Sequence, residues 1–217
     1  MDKDKKQLAK YIDHTNLKPN AQKQDIETLC KEAKQYGFAS VCVHPYYIPL
    51  TKQLLADSEV KVCTVIGFPL GANSSETKLT ETKLAIQEGA QEIDMVINIS
   101  ALTEGLYEYV RNEIEQIKNM CGDKILKVII ETSYLTDEQK AKACQLCTKA
   151  GANYVKTSTG FSDKGATVED VKLMKKNIKS HMKVKASAGI RTYEDAVKMI
   201  EAGASRIGTS AGVKIVS

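Results

Sequence analysis

Nowhere in the 217 residues does an uninterrupted apolar run approach the ~18 positions of a membrane span, so none is expected. The opening stretch MDKDKKQLAKYI also lacks the apolar centre of a secretion signal. A soluble, cytoplasmic protein is the expectation. Two phosphate-cradling signatures are missing, G-x-G-x-x-G and G-x-x-x-x-G-K-[ST], which argues against a dinucleotide or P-loop fold. No H-x-H pair or carboxylate cluster is present to hold zinc, and His14, His44 and His181 stand alone as packing or loop residues. No metal and no cofactor is therefore expected. Charge of one sign is also in short supply: 31 basic residues face 27 acidic ones, a net charge of +4 spread along the chain. The small clusters DKDKK and KLMKKNIKSHMK read as solvated helix faces, so no nucleic acid or membrane partner is expected. Six cysteines in a chain of this length do not form a secreted disulfide framework. Cys144 and Cys147 make a C-x-x-C, but within TDEQKAKACQLCTKAG they fall in a helical pattern with no second ligand pair, and they read as packing thiols.

What is present is alternation. With 42% hydrophobic content, the chain can bury one large core, and one domain over residues 1–217 with a short N-terminal helix is expected. Strand-like runs recur at 11–17, 39–45, 60–69, 92–99, 126–133, 153–159, 182–187 and 205–210. Between them lie helical patterns over 23–37, 74–89, 106–120, 136–151 and 192–203, several opening on Ser, Thr or Asp and closing on Gly. A helix that ends on glycine and feeds straight into an apolar strand is a βα unit. Eight such units predict an α/β fold of the TIM (β/α)8 barrel type, with a doubly wound open sheet as the competitor.

In such a barrel, chemistry belongs at the C-terminal strand ends. Lys156 and Lys185 occupy matching frames on consecutive strands there, V-K-T-S-T-G and V-K-A-S-A-G. Neighbouring strands lie ~4.8 Å apart, so both ammonium groups are expected at one mouth, where repulsion and desolvation favour a neutral amine. A lysine near its ordinary pKa of 10.4 is neutral only about once in 2,500 at pH 7. One lowered to ~7 is neutral half the time, a gain worth roughly 4–5 kcal/mol in available nucleophile. That pairing is what a Schiff-base lysine requires. Asp94 interrupts the apolar strand EIDMVINI, and Asp13 and Thr15 do the same in YIDHTNL. A charge in an apolar strand implies a partner, so Asp94 is a candidate for a lysine ion pair and for moving protons near an imine.

YIDHTNLKP, VCVHP, VIGFPLG, EIDMVINI, VKTSTGF, VKASAGIRT and RIGTSAG, in that order over residues 11–213, resemble the strand motifs of the deoxyribose-phosphate aldolases, class I aldolases with a TIM barrel. The resemblance implies reversible cleavage of 2-deoxy-D-ribose 5-phosphate to D-glyceraldehyde 3-phosphate and acetaldehyde without metal or cofactor. It implies Lys156 as the imine-forming lysine, Lys185 as the neighbour that tunes it, and Asp94, with a water, as the proton shuttle. Asp13, Thr15, Cys42 and Lys127 match supporting positions near the pocket. Gly160, Gly189, Gly208 and Ser210, with Ser187 and Arg191 nearby, fall where a barrel holds phosphate at its sixth to eighth strand ends. A homodimer is implied as well.

The chain departs from the family pattern at three places. Ala188 stands where a second glycine is usual, Phe161 stands where some members carry a lysine, and no C-terminal tyrosine follows the eighth strand. A left-handed backbone at position 188 would cost alanine about 1–2 kcal/mol. Weaker phosphate affinity with intact catalysis is the expected result. Two other readings stay open at the level of sequence: a different Schiff-base barrel such as a transaldolase or dehydratase-like lyase, and a barrel that binds a sugar phosphate without turning it over.

Overall fold

Eight short β-branched segments, each too apolar on its outer face to meet water, pair side by side in chain order and close on themselves. The computed structural model describes residues 3–217, so the first two positions of the expected domain lie outside the described residues. The order is α1 (Lys3–Ala9), β1 (Ile12–Asn16), α2 (Lys23–Tyr36), β2 (Ser40–Val43), α3 (Ile48–Leu54), β3 (Lys61–Ile66), α4 (Ser75–Glu88), β4 (Glu92–Val96) and α5 (Ile99–Thr103). It continues with α6 (Tyr107–Cys121), β5 (Ile125–Ile129), α7 (Asp137–Lys149), β6 (Tyr154–Lys156), α8 (Val168–Lys176), β7 (Lys183–Ser187), α9 (Tyr193–Glu201), β8 (Ala204–Thr209) and α10 (Gly212–Val216). All eight strand pairs are parallel, β8 returning to β1. The fold is the TIM barrel.

Helix boundaries follow local chemistry. Ser74 accepts the Thr77 N–H at the start of α4, and Thr136 and Thr192 form reciprocal capping boxes with Gln139 and Asp195 at α7 and α9. The apolar run that reads as strand over 92–99 ends earlier, at Val96, because the Asn98 side chain accepts the Ala101 N–H at 3.0 Å and starts α5.

Side chains alternate in and out along each strand. The outward set, including Ile93 and Met95 of β4, Leu126 and Val128 of β5, and Val184 and Ala186 of β7, joins Ile114 and Ile117 of α6 in one continuous apolar core. The inward set is different. In a barrel interior that branched apolar residues usually fill, this chain places Asp13, Glu92, Asp94, Lys127, Lys156, Lys185 and Arg206, all buried.

Candidate active site

Strand register explains why those seven charges meet. Asp94 pairs with Lys127 across β4 and β5, Lys156 with Lys185 across β6 and β7, and Lys185 with Arg206 across β7 and β8, so their side chains share the barrel interior. Asp94 is at the centre. Its Oδ2 accepts from Lys156 Nζ at 2.7 Å and from Lys185 Nζ at 2.8 Å, while its Oδ1 accepts from Lys127 Nζ at 2.9 Å and from Cys63 Sγ at 3.2 Å. Asp13 forms a second hub: Lys185 Nζ donates to its Oδ2 at 2.5 Å, and Ser40 Oγ and Arg206 Nη1 each donate to its Oδ1 at 2.6 Å. Beneath both, Glu92 pairs with Lys127 and with Arg206.

The electrostatics follow from this wiring. Burial alone would raise the Asp94 carboxyl, but Lys127, Lys156 and Lys185 outweigh it and hold the group well below the usual carboxylate range. Asp13 is depressed in the same way by Lys185, Lys127 and Arg206. Burial would strip Lys185 and Lys127 of their protons, yet Asp94 and Asp13 raise both above the ordinary lysine value. The expectation of two ammonium groups facing one another directly is corrected here: a shared carboxylate oxygen stands between them, and it helps hold Lys185 as an ammonium. Four cations, Lys127, Lys156, Lys185 and Arg206, nevertheless share three carboxylates, Asp13, Glu92 and Asp94. Loss of one proton brings the buried cluster to neutrality.

The cluster members differ in their access to solvent. Lys127 and Lys185 are fully enclosed, whereas Lys156 retains 3% exposure, has a single carboxylate partner, and is the only cluster member lining a cavity of about 660 Å³ at the C-terminal mouth. The cavity is otherwise bounded by residues from the β1, β6, β7 and β8 ends, among them Thr15, Gly160, Ser187, Gly189, Arg191, Gly208 and Ser210, and on one side by Asp25, Thr28, Leu29 and Glu32 of α2. Asp13, Cys42 and Lys127, expected near the pocket, do not line it, because each lies fully buried below Asp94 or beside it. Ser187 ties β7 to β6: its N–H donates to Thr157 Oγ1 at 3.0 Å and its hydroxyl donates to the Ser158 carbonyl at 2.7 Å. Gly208 has a steric reason, since a Cβ there would come within 2.9 Å of Ser187 Cβ and 3.0 Å of Lys185 Cε.

Ala188 takes φ 70°, the left-handed backbone that glycine prefers. Phe161 is half exposed and sets its ring edge-on to Phe68, centroids 5.2 Å apart. Cys42, Cys63 and Asp94 bring potential metal-donor atoms within 4.8 Å of one another. Both oxygens of that carboxylate are already committed to ammonium groups, and burial holds the Cys63 thiol protonated, so the donor set suits protons better than a cation.

Sequence reading missed Glu92, Arg206, Cys63 and Glu131. The first two leave a trace, as each lies two residues from an inward-facing position, Asp94 and Gly208, and so shares its face. Cys63 and Glu131 carry no comparable signal.

The family model for DeoC/LacD family aldolases matches residues 7–217. A deoxyribose-phosphate aldolase of Thermoanaerobacter sp. (strain X514) is 61% identical over 212 residues, which cover 96% of this chain and 95% of the relative. One from Clostridium kluyveri is 58% identical over 99% of both chains. Among solved structures, the tetrameric deoxyribose phosphate aldolase of Aeropyrum pernix superposes with a TM-score of 0.91 at 38% identity, covering 98% of this chain and 90% of that one.

Proposed function

The chain belongs to the DeoC/LacD family of aldolases, and on that footing we propose that it is a class I aldolase that reversibly cleaves 2-deoxy-D-ribose 5-phosphate, with Lys156 as its nucleophile. The observation that carries the assignment is the surplus of one buried cation in a cluster where only Lys156 reaches the cavity.

The neutral Lys156 amine attacks C1 of the open-chain sugar, and loss of water gives the iminium. Removal of the C3 hydroxyl proton lets the C2–C3 bond break. Its electron pair passes into the iminium to form an enamine, and C3 becomes the aldehyde of D-glyceraldehyde 3-phosphate. Protonation of the enamine at C2 and hydrolysis then release acetaldehyde and restore the amine. Asp94 Oδ2 relays these protons with a water, because the oxygen loses a donor when the Lys156 nitrogen enters the imine. Lys185 and Lys127 keep Asp94 ionised as the counter-charge to the iminium.

The phosphate is assigned to the rim formed by the β6, β7 and β8 loops, where Gly160, Gly189 and Ser210 border the cavity and the Arg191 side chain is exposed at its edge. The Ala188 methyl and Phe161 make that rim less hospitable than an all-glycine one, so phosphate adds less to affinity here. A homodimer in the cytoplasm is part of the same reading. It rests on the family resemblance, and no helix among the described residues is long and apolar enough to cross a membrane. Light scattering on the purified protein reads the assembly.

Turnover of 2-deoxy-D-ribose 5-phosphate, followed by acetaldehyde release in the parent and in Lys156→Leu, tests the assignment. Activity in the parent and its complete loss in a folded variant is the expected result; a variant that still turns over would refute it. Preferential turnover of dihydroxyacetone-forming or dehydroquinate-like substrates would favour one of the other Schiff-base lyases.

A further inference from the structure

Two residues other than glycine adopt a left-handed backbone among the described residues, Glu131 at φ 51° and Ala188 at φ 70°. They follow β5 and β7, and so flank β6, the strand that carries Lys156. Backbone bonds to the β6 segment continue on both sides of Glu131: Ile130 N–H to the Lys156 carbonyl at 3.0 Å, and Thr132 N–H to the Thr157 carbonyl at 2.9 Å. The strained residue therefore sits inside an ordered extension of the β5–β6 ladder, with its carboxylate turned over the end of β6.

That carboxylate is 2% exposed, and among the described residues no ion pair joins it to a basic group. Hydrogen bonds alone compensate it. Its Oε2 accepts the Thr159 N–H at 3.1 Å and the Thr159 hydroxyl, and its Oε1 accepts the Ser162 hydroxyl at 3.0 Å. Ser133 donates in turn to Ser162 Oγ at 3.1 Å. With its hydroxyl proton committed to Glu131, Thr159 Oγ1 accepts the Phe161 N–H at 3.0 Å, which closes a tight turn around Gly160, φ 88°. The Gly160 N–H has no acceptor among the described residues, and Gly160 borders the cavity. A buried carboxylate without a counter-ion on a left-handed backbone is costly twice over, and such strain persists where surrounding structure needs it.

We propose that Glu131 is a positioning residue: it fixes the Thr159–Ser162 turn so that the Gly160 N–H is presented to the substrate phosphate. The proposal rests on the aldolase reading above and extends it to a residue that touches neither substrate nor Lys156. The carboxylate would repel a phosphate at close range, but it is buried against Thr159 and Ser162 and does not line the cavity. Its effect reaches the ligand through the turn.

Glycine and glutamine at this position separate the backbone from the carboxylate. Glu131→Gly removes the left-handed strain and the hydrogen bonds together, whereas Glu131→Gln keeps an oxygen for Thr159 and an amide for Ser162. The readout is KM and kcat for 2-deoxy-D-ribose 5-phosphate against unphosphorylated 2-deoxyribose. Glu131→Gly is expected to raise KM for the ester at least about tenfold more than KM for the free sugar, and Glu131→Gln to restore most of that difference. Equal shifts on both sugars, parental kinetics in the glycine variant, or a glutamine variant as impaired as glycine would each overturn the proposal. If Glu131→Gly does not fold, Thr159→Val combined with Ser162→Ala removes the two side-chain bonds from the other side, leaving the Thr159 N–H bond, and must show a split in the same direction. Borohydride trapping with acetaldehyde runs alongside every variant. No adduct in the parent sinks the aldolase reading, whereas normal trapping without the KM split sinks only the role of Glu131.

Discussion

Lys156 and Lys185 donate to the same oxygen of one carboxylate, Asp94 Oδ2, at 2.7 and 2.8 Å. The two ammonium groups are thus within two hydrogen-bond lengths of each other, but they are not equivalent. Lys185 also holds Asp13, and Lys156 holds nothing else. Lys185 satisfies both aspartates, so the cluster has no need of Lys156 as a counter-ion. In the proposed mechanism this surplus of cations, rather than direct repulsion, is the route to a free Lys156 amine.

Lys185→Met tests that route. Without Lys185 the cluster counts three cations against three carboxylates, and Lys156 becomes the charge that Asp94 requires. Turnover should fall at least about a hundredfold, the scale of losing an activated acid–base partner, in a variant whose thermal midpoint shows it folded. A folded variant with the parental kcat would contradict the charge count.

Gly208→Ala addresses Lys185 sterically. The added methyl would meet Ser187 Cβ at 2.9 Å and Lys185 Cε at 3.0 Å, and Lys185 cannot swing away because Asp13 and Asp94 both hold it. Overpacking of this kind costs about 1–3 kcal/mol, and displacing a catalytic neighbour by a fraction of an ångström should lower kcat by about tenfold or more. A variant that loses neither stability nor kcat would show that Lys185 has more room than its contacts indicate.

Ala188→Gly should act in the opposite direction. Removing the Cβ from the left-handed backbone recovers roughly 1–2 kcal/mol of steric strain, and added freedom in the unfolded chain returns about 0.5–1 of it. The net gain of up to about 1.5 kcal/mol corresponds to a rise in thermal midpoint of at most roughly 3–6 °C at this chain length. KM for the phosphorylated sugar should fall as well. A lower midpoint, or an unchanged KM ratio between phosphorylated and free sugar, would show that the Ala188 methyl does not shape the rim.

Stability should be flat only over a limited pH range. Burial pushes the thiols of Cys30 and Cys121 up to about 11 and that of Cys144 to about 12, and raises Cys147 and Cys63 further still. A raised folded-state value gives stability that is complete below the unfolded thiol value near 8.5 and is lost as pH climbs through the folded values. Burial lowers His14, so its contribution is complete above about 6.5 and is lost as pH falls below it. The depressed carboxyls of Asp13 and Asp94 add a steeper loss below about 3.9. Thermal midpoints measured from pH 3 to 11 should therefore plateau between roughly 6.5 and 8.5. A midpoint still level at pH 10 would mean that the thiols are not protected as described.

The barrel was largely legible in the sequence because its signal is local. Apolar runs, Ser or Thr caps and closing glycines each report on a few neighbouring residues. The misses are also local in cause. The strand read over 153–159 is regular only over Tyr154–Lys156: Thr157 still bonds both neighbouring strands, but the Thr159 N–H turns to the Glu131 carboxylate instead of a strand carbonyl. The short helices α3, α5 and α10 span seven residues or fewer, too few turns to print a clear period. Lys156, Lys185 and Asp94 stood out as charges in apolar strands. Which charge pairs with which could not be read, because the partners are far apart in the chain: Arg206 of β8 meets Asp13 of the neighbouring β1 at 2.6 Å from 193 positions away, where the barrel closes. Register and closure decide that, and neither is written in any one segment.

The most direct test is to reduce the protein with borohydride in the presence of acetaldehyde and to map the modified peptide. A single two-carbon adduct on Lys156, with Lys185 and Lys127 unmodified, is the predicted result. An adduct on Lys185, or no stable adduct at all, would contradict the assignment of the nucleophile.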